Sequence, residues 1–305
     1  MKKENFCKAY RGLLLLGALV LGLALACLRP ARVMASETTE DAAQSTEASD
    51  SSATTETETS GTTATKKKSG KVSKWYTAKS GNVYYYDENG KKLKGGKYKI
   101  NGKYYYFDSK GIQRTGWQKI GSSYYYFRIA KRKNGYMVTS KTINGITIKK
   151  NGKAKMNSYS KRKLPILYKA NVLMRSLTKN SDTKSQKLRK VYEYTRSYYR
   201  YASLGSFVGG NNWDMYYAEK VLVSGSIKAD CYTFASVFAY LANAVGYKVN
   251  VVSSGWHGWA EIGNKFYDPS WSRSDTSKDY CGITYGTQGN FLLNYQNSRK
   301  YVIAI

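Results

Sequence analysis

Hydrophobic and polar positions divide this chain into four stretches with different periods. The first is a continuous apolar run, Leu13–Leu28, behind Lys2, Lys3, Lys8 and Arg11. Val33-Met34-Ala35 then places small residues where a cleavage site needs them. The stretch predicts a secretory signal peptide over residues 1–35. An uncleaved anchor is the alternative, because the run is near the short end of a membrane span. The second stretch, 36–70, is mostly Ser, Thr, Glu, Ala and Asp with no apolar period. It cannot build a core and is expected to be a disordered linker.

The third stretch alternates and repeats. Gly81–Ile100 reads GNVYYYDENGKKLKGGKYKI, and Asn101–Ile120 reads NGKYYYFDSKGIQRTGWQKI. Gly121 onward begins GSSYYYF, so Tyr84, Tyr104 and Tyr124 recur every 20 residues. Each unit offers an aromatic strand, a Gly-containing turn and a short strand ending in Lys-Ile. A hairpin of this size cannot bury its own face, so the units are expected to stack as a solenoid over 71–157. Arg128–Ile143 interrupts the register, and Asn144–Met156 is read as a closing half-unit.

The fourth stretch, 158–305, mixes periods. Leu164–Leu177 carries apolar residues at helical spacing with Pro165 near its start, and Gln186–Tyr201 predicts a second helix. Tyr232–Val245 is apolar nearly all round and stops at Gly246, which predicts a buried helix capped by Asp230. Tyr247–Val252 and His257–Ile262 read as strands, and Gly263-Asn264 as a two-residue hairpin turn. If Ile262 pairs with Lys265, Trp259 faces Asp268. His257 and Asp268 are then diagonal neighbours about 7–8 Å apart in backbone. Ser272–Asn290 reads as a loop, and Phe291–Leu293 and Tyr301–Ile305 as edge strands.

Candidate chemistry sits on this last stretch. Cys231 falls at the start of the buried helix, where the macrodipole favours a thiolate, although the Asp230 charge opposes it. His257 is the only histidine of the chain. Cys231, His257 and Asp268 supply a thiol nucleophile, a base and an orienter for the base. Removal of the signal segment leaves Cys231 and Cys281, so a disulfide between them is the alternative. One histidine among scattered carboxylates is a poor metal set, and neither a metal nor a cofactor is expected.

The Asp230-Cys231 pair, the helix ending at Gly246-Tyr247, His257-Gly258-Trp259-Ala260-Glu261 and Tyr267-Asp268-Pro269 together resemble the core of the transglutaminase-like superfamily. The helix Lys184–Tyr201 and the segment Trp213–Gly225 fit upstream, so the resemblance covers roughly 165–305. It implies an α+β, papain-type fold in which a helix carrying Cys231 packs on an antiparallel sheet carrying His257 and Asp268. It implies Cys231 as nucleophile, His257 as base and Asp268 as orienter. The substrate is then a protein or peptide, attacked at a carboxamide or peptide carbonyl through a thioester. Peptidase and cross-linking transglutaminase both remain open. The backbone N–H of Cys231 is one oxyanion donor, with Trp213 or Asn212 as candidates for the second.

The 20-residue units resemble the choline-binding or cell-wall-binding repeats of secreted Gram-positive surface proteins, and the related glucan-binding repeats. The family grips choline in boxes of aromatics from adjacent repeats. Here its Gly-Trp pair stands only at Gly116-Trp117, and the preceding unit has Gly96-Lys97. Charge points the same way. The chain carries 50 Lys+Arg and 20 Asp+Glu; from Lys66 onward 44 and 12 remain, a net of +32. Such a field attracts polyanions. No nucleic-acid motif is present, so the expected partners are wall polymers: teichoic acid, choline or glycan. The whole reads as a secreted, wall-associated cysteine enzyme, free of the membrane after signal cleavage. The alternative is a catalytically inactive wall-binding adhesin that keeps the fold.

Overall fold

The computed structural model describes residues 73–285 and 294–305. The expected signal peptide, the whole of the expected linker 36–70 and Phe291–Leu293 lie outside the described residues. Nine short strands come first. β1 (Lys74–Thr77) pairs antiparallel with β2 (Val83–Tyr86). β3 (Gly96–Ile100) pairs with β4 (Lys103–Phe107), which also takes β5 (Gln113–Arg114). β6 (Gly116–Ile120) pairs with β7 (Ser123–Phe127), and β8 (Lys141–Ile143) with β9 (Ile146–Ile148).

The tight hairpins therefore run across the unit boundaries drawn from the sequence. A strand ending in Lys-Ile turns into the aromatic strand of the next unit. Asn101-Gly102 and Asn144-Gly145 explain this phase, since all four residues have positive φ, as a two-residue turn between twisted strands requires. Within the tyrosine runs every second ring is buried: Tyr85, Tyr105 and Tyr125 point inward at the 20-residue spacing. The strands form separate small sheets rather than one continuous sheet.

Helices follow. α1 (Ser158–Leu177) begins six residues before the expected start, because Asn157 and Ser160 form a reciprocal capping box. Pro165 therefore lies inside the helix, where it forgoes one backbone hydrogen bond. Burial of Leu164, Ile166, Leu167 and Ala170 offsets that loss. α2 (Lys184–Tyr198) is capped by Thr183 and Gln186 and stops three residues short of Tyr201. Its end is drawn off into β10 (Arg200–Tyr201), which pairs in parallel with β11 (Lys228–Ala229). Between these strands lies α3 (Trp213–Leu222).

β11 leads directly to α4 (Cys231–Val245), whose residues are all buried except Asn243. Gly246 ends it at φ 107°, a left-handed conformation that glycine adopts without strain. Helices α1, α2 and α3 pack around α4 on one side. On the other lies a five-stranded antiparallel sheet in the order β15-β14-β13-β12-β16. Its strands are β12 (Asn250–Ser253), β13 (Gly258–Ile262), β14 (Lys265–Tyr267), β15 (Cys281–Thr284) and β16 (Tyr301–Ala304). The expected loop Ser272–Asn290 thus contains a strand, β15, and it begins inside a short helix, α5 (Pro269–Ser274). The molecule is α+β: helices on a five-stranded antiparallel sheet, preceded by β-hairpins. No helix among the described residues is long and apolar enough to cross a membrane.

The hydrophobic core does not stop where the hairpins end. Trp117, Val138, Ile146, Ile148 and Ala154 belong to the same buried cluster as the helices around α4. Trp117 donates its indole N–H to Asn144 at 2.8 Å, and Asn144 donates in turn to Asn243 of α4 at 3.1 Å. Gly116 lies against α1 so closely that a Cβ there would stand 2.4 Å from Asn171 Oδ1, and its φ is +74°. Gly116→Ala is expected to destabilise the chain by ~2–4 kcal/mol, the sum of a left-handed Cβ and an overpacked contact. Gly121→Ala, at φ +56° with open space around it, should cost only ~1–2 kcal/mol. Urea unfolding of the two variants measures the difference; equal losses would show that Gly116 makes no such contact.

Candidate active site

Sequence places Cys231 as the first residue of α4 because Asp230 is a good N-cap. Asp230 Oδ1 accepts from Thr233 N at 2.9 Å and from Thr233 Oγ1 at 2.7 Å. Burial pushes the Asp230 carboxyl up, and the two Thr233 hydrogen bonds oppose that. Cys231 is therefore the first residue of a 15-residue helix, at the end where the backbone N–H groups carry the positive pole of the macrodipole. Cys231 and Cys281 are both free thiols, so the expected alternative of a disulfide is not formed. Burial pushes Cys281 up to about 12, although Arg189 works against it.

The hairpin register fixes the other two residues. Ile262 pairs with Lys265, Glu261 with Phe266 and Ala260 with Tyr267. Asp268 follows β14 directly and caps α5, with Pro269 at the first helical position. Across the sheet His257 immediately precedes β13. The next residue, Gly258, lets the strand close on α4: a Cβ there would lie 3.0 Å from Tyr232 Cδ1 and 3.3 Å from the Cys231 carbonyl. Any larger side chain would hold the histidine strand away from the cysteine.

These elements bring all three residues together. His257 Nε2 lies 2.5 Å from Asp268 Oδ2. The same imidazole interacts with Cys231 by hydrogen bond and charge. Because Nε2 is committed to the carboxylate, Nδ1 is the ring nitrogen left for the sulfur. His257 and Asp268 are 5% and 0% exposed, and Cys231 6%. Trp259 stacks on the imidazole at 6.3 Å, and Trp271 meets it edge-on at 5.5 Å. The result is a nearly dry site in which charges act strongly.

Sequence reasoning missed the groups that hold Asp268. Tyr295 donates to Oδ2 at 2.8 Å, and Ser270 Oγ and Trp271 N donate to Oδ1 at 2.9 and 2.8 Å. The Tyr192 hydroxyl donates to the Asp268 carbonyl at 3.1 Å. Asp268-Pro269 was a readable helix start, which would have found Ser270 and Trp271. Tyr192 and Tyr295 lie 76 and 27 residues away and carry no local signal. Of the two candidate oxyanion donors, Asn212 is exposed. Trp213 is 1% exposed, and its indole N–H has no partner among the described residues.

Comparison with known proteins finds two families along the chain. Residues 93–141 match the family model described as choline-binding repeat, and residues 172–276 match that of the transglutaminase-like superfamily. A choline-binding repeat segment, 93–141, is thus followed by a transglutaminase-like core segment, 172–276. Similar solved structures include CbpJ from Streptococcus pneumoniae TIGR4, at 23% identity and TM-score 0.23, covering 27% of this chain. The choline binding domain of Spr1274 from Streptococcus pneumoniae is 25% identical, covering 27% of this chain and 93% of that one, at TM-score 0.23. The multimodular pneumococcal cell wall endolysin from phage Cp-1, complexed with choline, is 25% identical over 31% of this chain and 28% of that one, at TM-score 0.25. The chain spans 26% of the length of CbpJ. No curated relative matches it.

Burial pulls the His257 imidazole down, but Asp268 and then Cys231 outweigh it and raise its pKa to about 10. Burial works against the Asp268 carboxylate too, and the His257 charge and hydrogen bond reverse that and hold it below its ordinary value. The histidine's stabilisation is complete below its unfolded pKa of about 6.5 and is lost as pH rises through about 10. The aspartate's is present above about 3.9 and is lost as pH falls. The stability difference between wild type and His257→Gln, followed by urea unfolding, should therefore be largest between about pH 4 and 6.5 and shrink toward pH 10. A difference independent of pH would contradict the pairing.

Proposed function

We propose that this chain is a secreted, cell-wall-associated cysteine enzyme that acts on peptide or carboxamide bonds through a thioester, with Cys231, His257 and Asp268 as its triad. The transglutaminase-like domain is of a class of cysteine hydrolases and acyltransferases. The observation that carries the reading is the sealed His257–Asp268 pair, whose remaining ring nitrogen serves a thiol at a helix N-terminus. Papain-type architecture of the core and solenoid stacking of the hairpins belong to the same proposal. The repeats bring the enzyme to wall polymers, teichoic acid, choline or glycan, and the substrate is a protein or a wall peptide.

In this mechanism the proton shared by the Cys231–His257 pair already rests on the imidazole, whose raised pKa keeps it charged at neutral pH, and the Cys231 sulfur attacks the carbonyl carbon. Asp268 holds this imidazolium and fixes the ring. The Cys231 N–H and the unpartnered indole N–H of Trp213 stabilise the oxyanion. The C–N bond then breaks. The leaving amine takes the proton from His257, and a thioester remains on Cys231. Water or a second amine, deprotonated by His257, attacks the thioester, breaks the C–S bond and restores the thiol. Water gives hydrolysis and an amine gives a cross-link.

Iodoacetamide labelling at neutral pH tests the pairing, with Cys281 as an internal control whose thiol burial keeps protonated. Wild type is expected to label at Cys231 and not at Cys281. His257→Ala should slow Cys231 labelling at least about tenfold, since the general base sets the thiolate fraction. Unchanged labelling in His257→Ala means the cysteine is not served by the histidine. Release of stem peptides from purified walls, or incorporation of an amine probe into protein, then separates hydrolysis from transfer.

A further inference from the structure

The repeat segment contains a cleft whose chemistry differs from that of a quaternary-ammonium box. It has a volume of about 550 Å³ and is lined by Lys97, Lys103, Lys150 and Lys153 together with tyrosines. No carboxylate lines it. Among the described residues none of these four lysines forms an ion pair, so the cleft holds four uncompensated ammonium groups.

The tyrosine faces are already taken. Lys97 Nζ stands 4.6 Å from the centre of the Tyr125 ring and 5.0 Å from that of Tyr104. Lys103 Nζ stands 4.3 Å from the centre of Tyr136. An aromatic cage binds a ligand cation by offering it open ring faces; here the chain's own ammonium groups cover them and repel a second cation. The cause is visible in the repeat register: Gly96-Lys97 stands where the next unit has Gly116-Trp117. Nor does Trp117 supply a cage elsewhere. It is 1% exposed, hydrogen-bonded to Asn144 and built into the core beside α1.

The segment that breaks the 20-residue register closes one side of this cleft. Met137 N donates to the Tyr104 carbonyl at 2.8 Å, and Lys153 bridges to Tyr125. The insertion and the last half-unit thereby bring Lys150 and Lys153 to face the lysines of β3 and β4. At the edge of the cleft the Tyr136 hydroxyl is held below its ordinary pKa by a hydrogen bond from Arg128, and then by the charges of Arg128, Lys103 and Lys141.

We propose that this cleft binds phosphate groups of an anionic polyol-phosphate polymer of the wall, and that Lys97 excludes choline from it. Lysine is a point-charge phosphate binder that needs no fixed geometry. A polymer with repeated phosphates also exploits the surplus of positive charge from Lys66 onward. The inference rests on the wall-binding part of the proposed function and is independent of the thiol chemistry.

Calorimetric titration of the full chain with poly(glycerol phosphate), inorganic phosphate and choline chloride provides the test. The polymer is expected to bind saturably, more weakly as salt rises, with inorganic phosphate competing only at far higher concentration. Lys97→Gln combined with Lys150→Gln should weaken polymer binding about tenfold or more. Lys97→Trp should weaken it too and create choline binding absent from wild type. Thermal unfolding at the wild-type midpoint confirms that these surface variants are folded. Saturable choline binding by wild type overturns the proposal, as does polymer binding unchanged by the lysine substitutions. Equal affinity for single-stranded nucleic acid of matched charge overturns the assignment to a polyol polymer. Retention on purified walls without polymer binding removes the phosphate site while leaving wall attachment intact; loss of both removes wall attachment itself.

Discussion

An aspartate with no exposed surface survives as a charge only if the protein surrounds it with donors, and Asp268 is surrounded. His257, Tyr295, Ser270 and the Trp271 backbone each donate to its two oxygens. That arrangement depends on the hairpin between β13 and β14. Shifting the register by one residue would turn Asp268 to the opposite face and leave the histidine without a partner. Because Nε2 is held by the carboxylate, the imidazole presents its other nitrogen to the start of α4. Gly258 sets how near it can come. One register thus carries the geometry on which the proposed chemistry relies.

The hairpins are tied to this centre by packing. Trp117 inserts under α1, and Asn144 links it to Asn243 at the last turn of α4. The residue that the repeat pattern would have used for a ligand cage serves instead as a joint with the core. In the preceding unit the same position is Lys97, and its ammonium lies over two tyrosine rings. The two departures have one consequence. The repeats retain their strands and turns while their aromatic faces are occupied from within, which leaves a basic cleft where an aromatic one would be expected.

Much of this was legible in the sequence, for local reasons. Asp230 as cap, the apolar run to Val245 and the stop at Gly246 are nearest-neighbour signals, and the helix follows them. Gly263-Asn264 specified the turn, and with it the pairing of Ile262 with Lys265. The hairpin phase was misdrawn because two strands flank each aromatic run, and only the Asn-Gly turns decide which one pairs tightly. α2 ended early at a parallel pairing with β11, a long-range contact with no trace in local periodicity. α1 began early because a capping box of two small polar residues outweighed a proline. Tyr192 and Tyr295 were invisible for a related reason: hydrogen bonds to a buried carboxylate come from wherever the fold places a hydroxyl.

The single histidine makes the central claim directly measurable. Nuclear magnetic resonance titration of protein labelled only in histidine follows one imidazole, that of His257. The account predicts titration well above the ordinary value of about 6.5, toward about 10. It also predicts a fall when Cys231 is replaced by Ala, and a larger fall in Asp268→Asn. An imidazole that titrates near 6.5 and ignores both substitutions would contradict it.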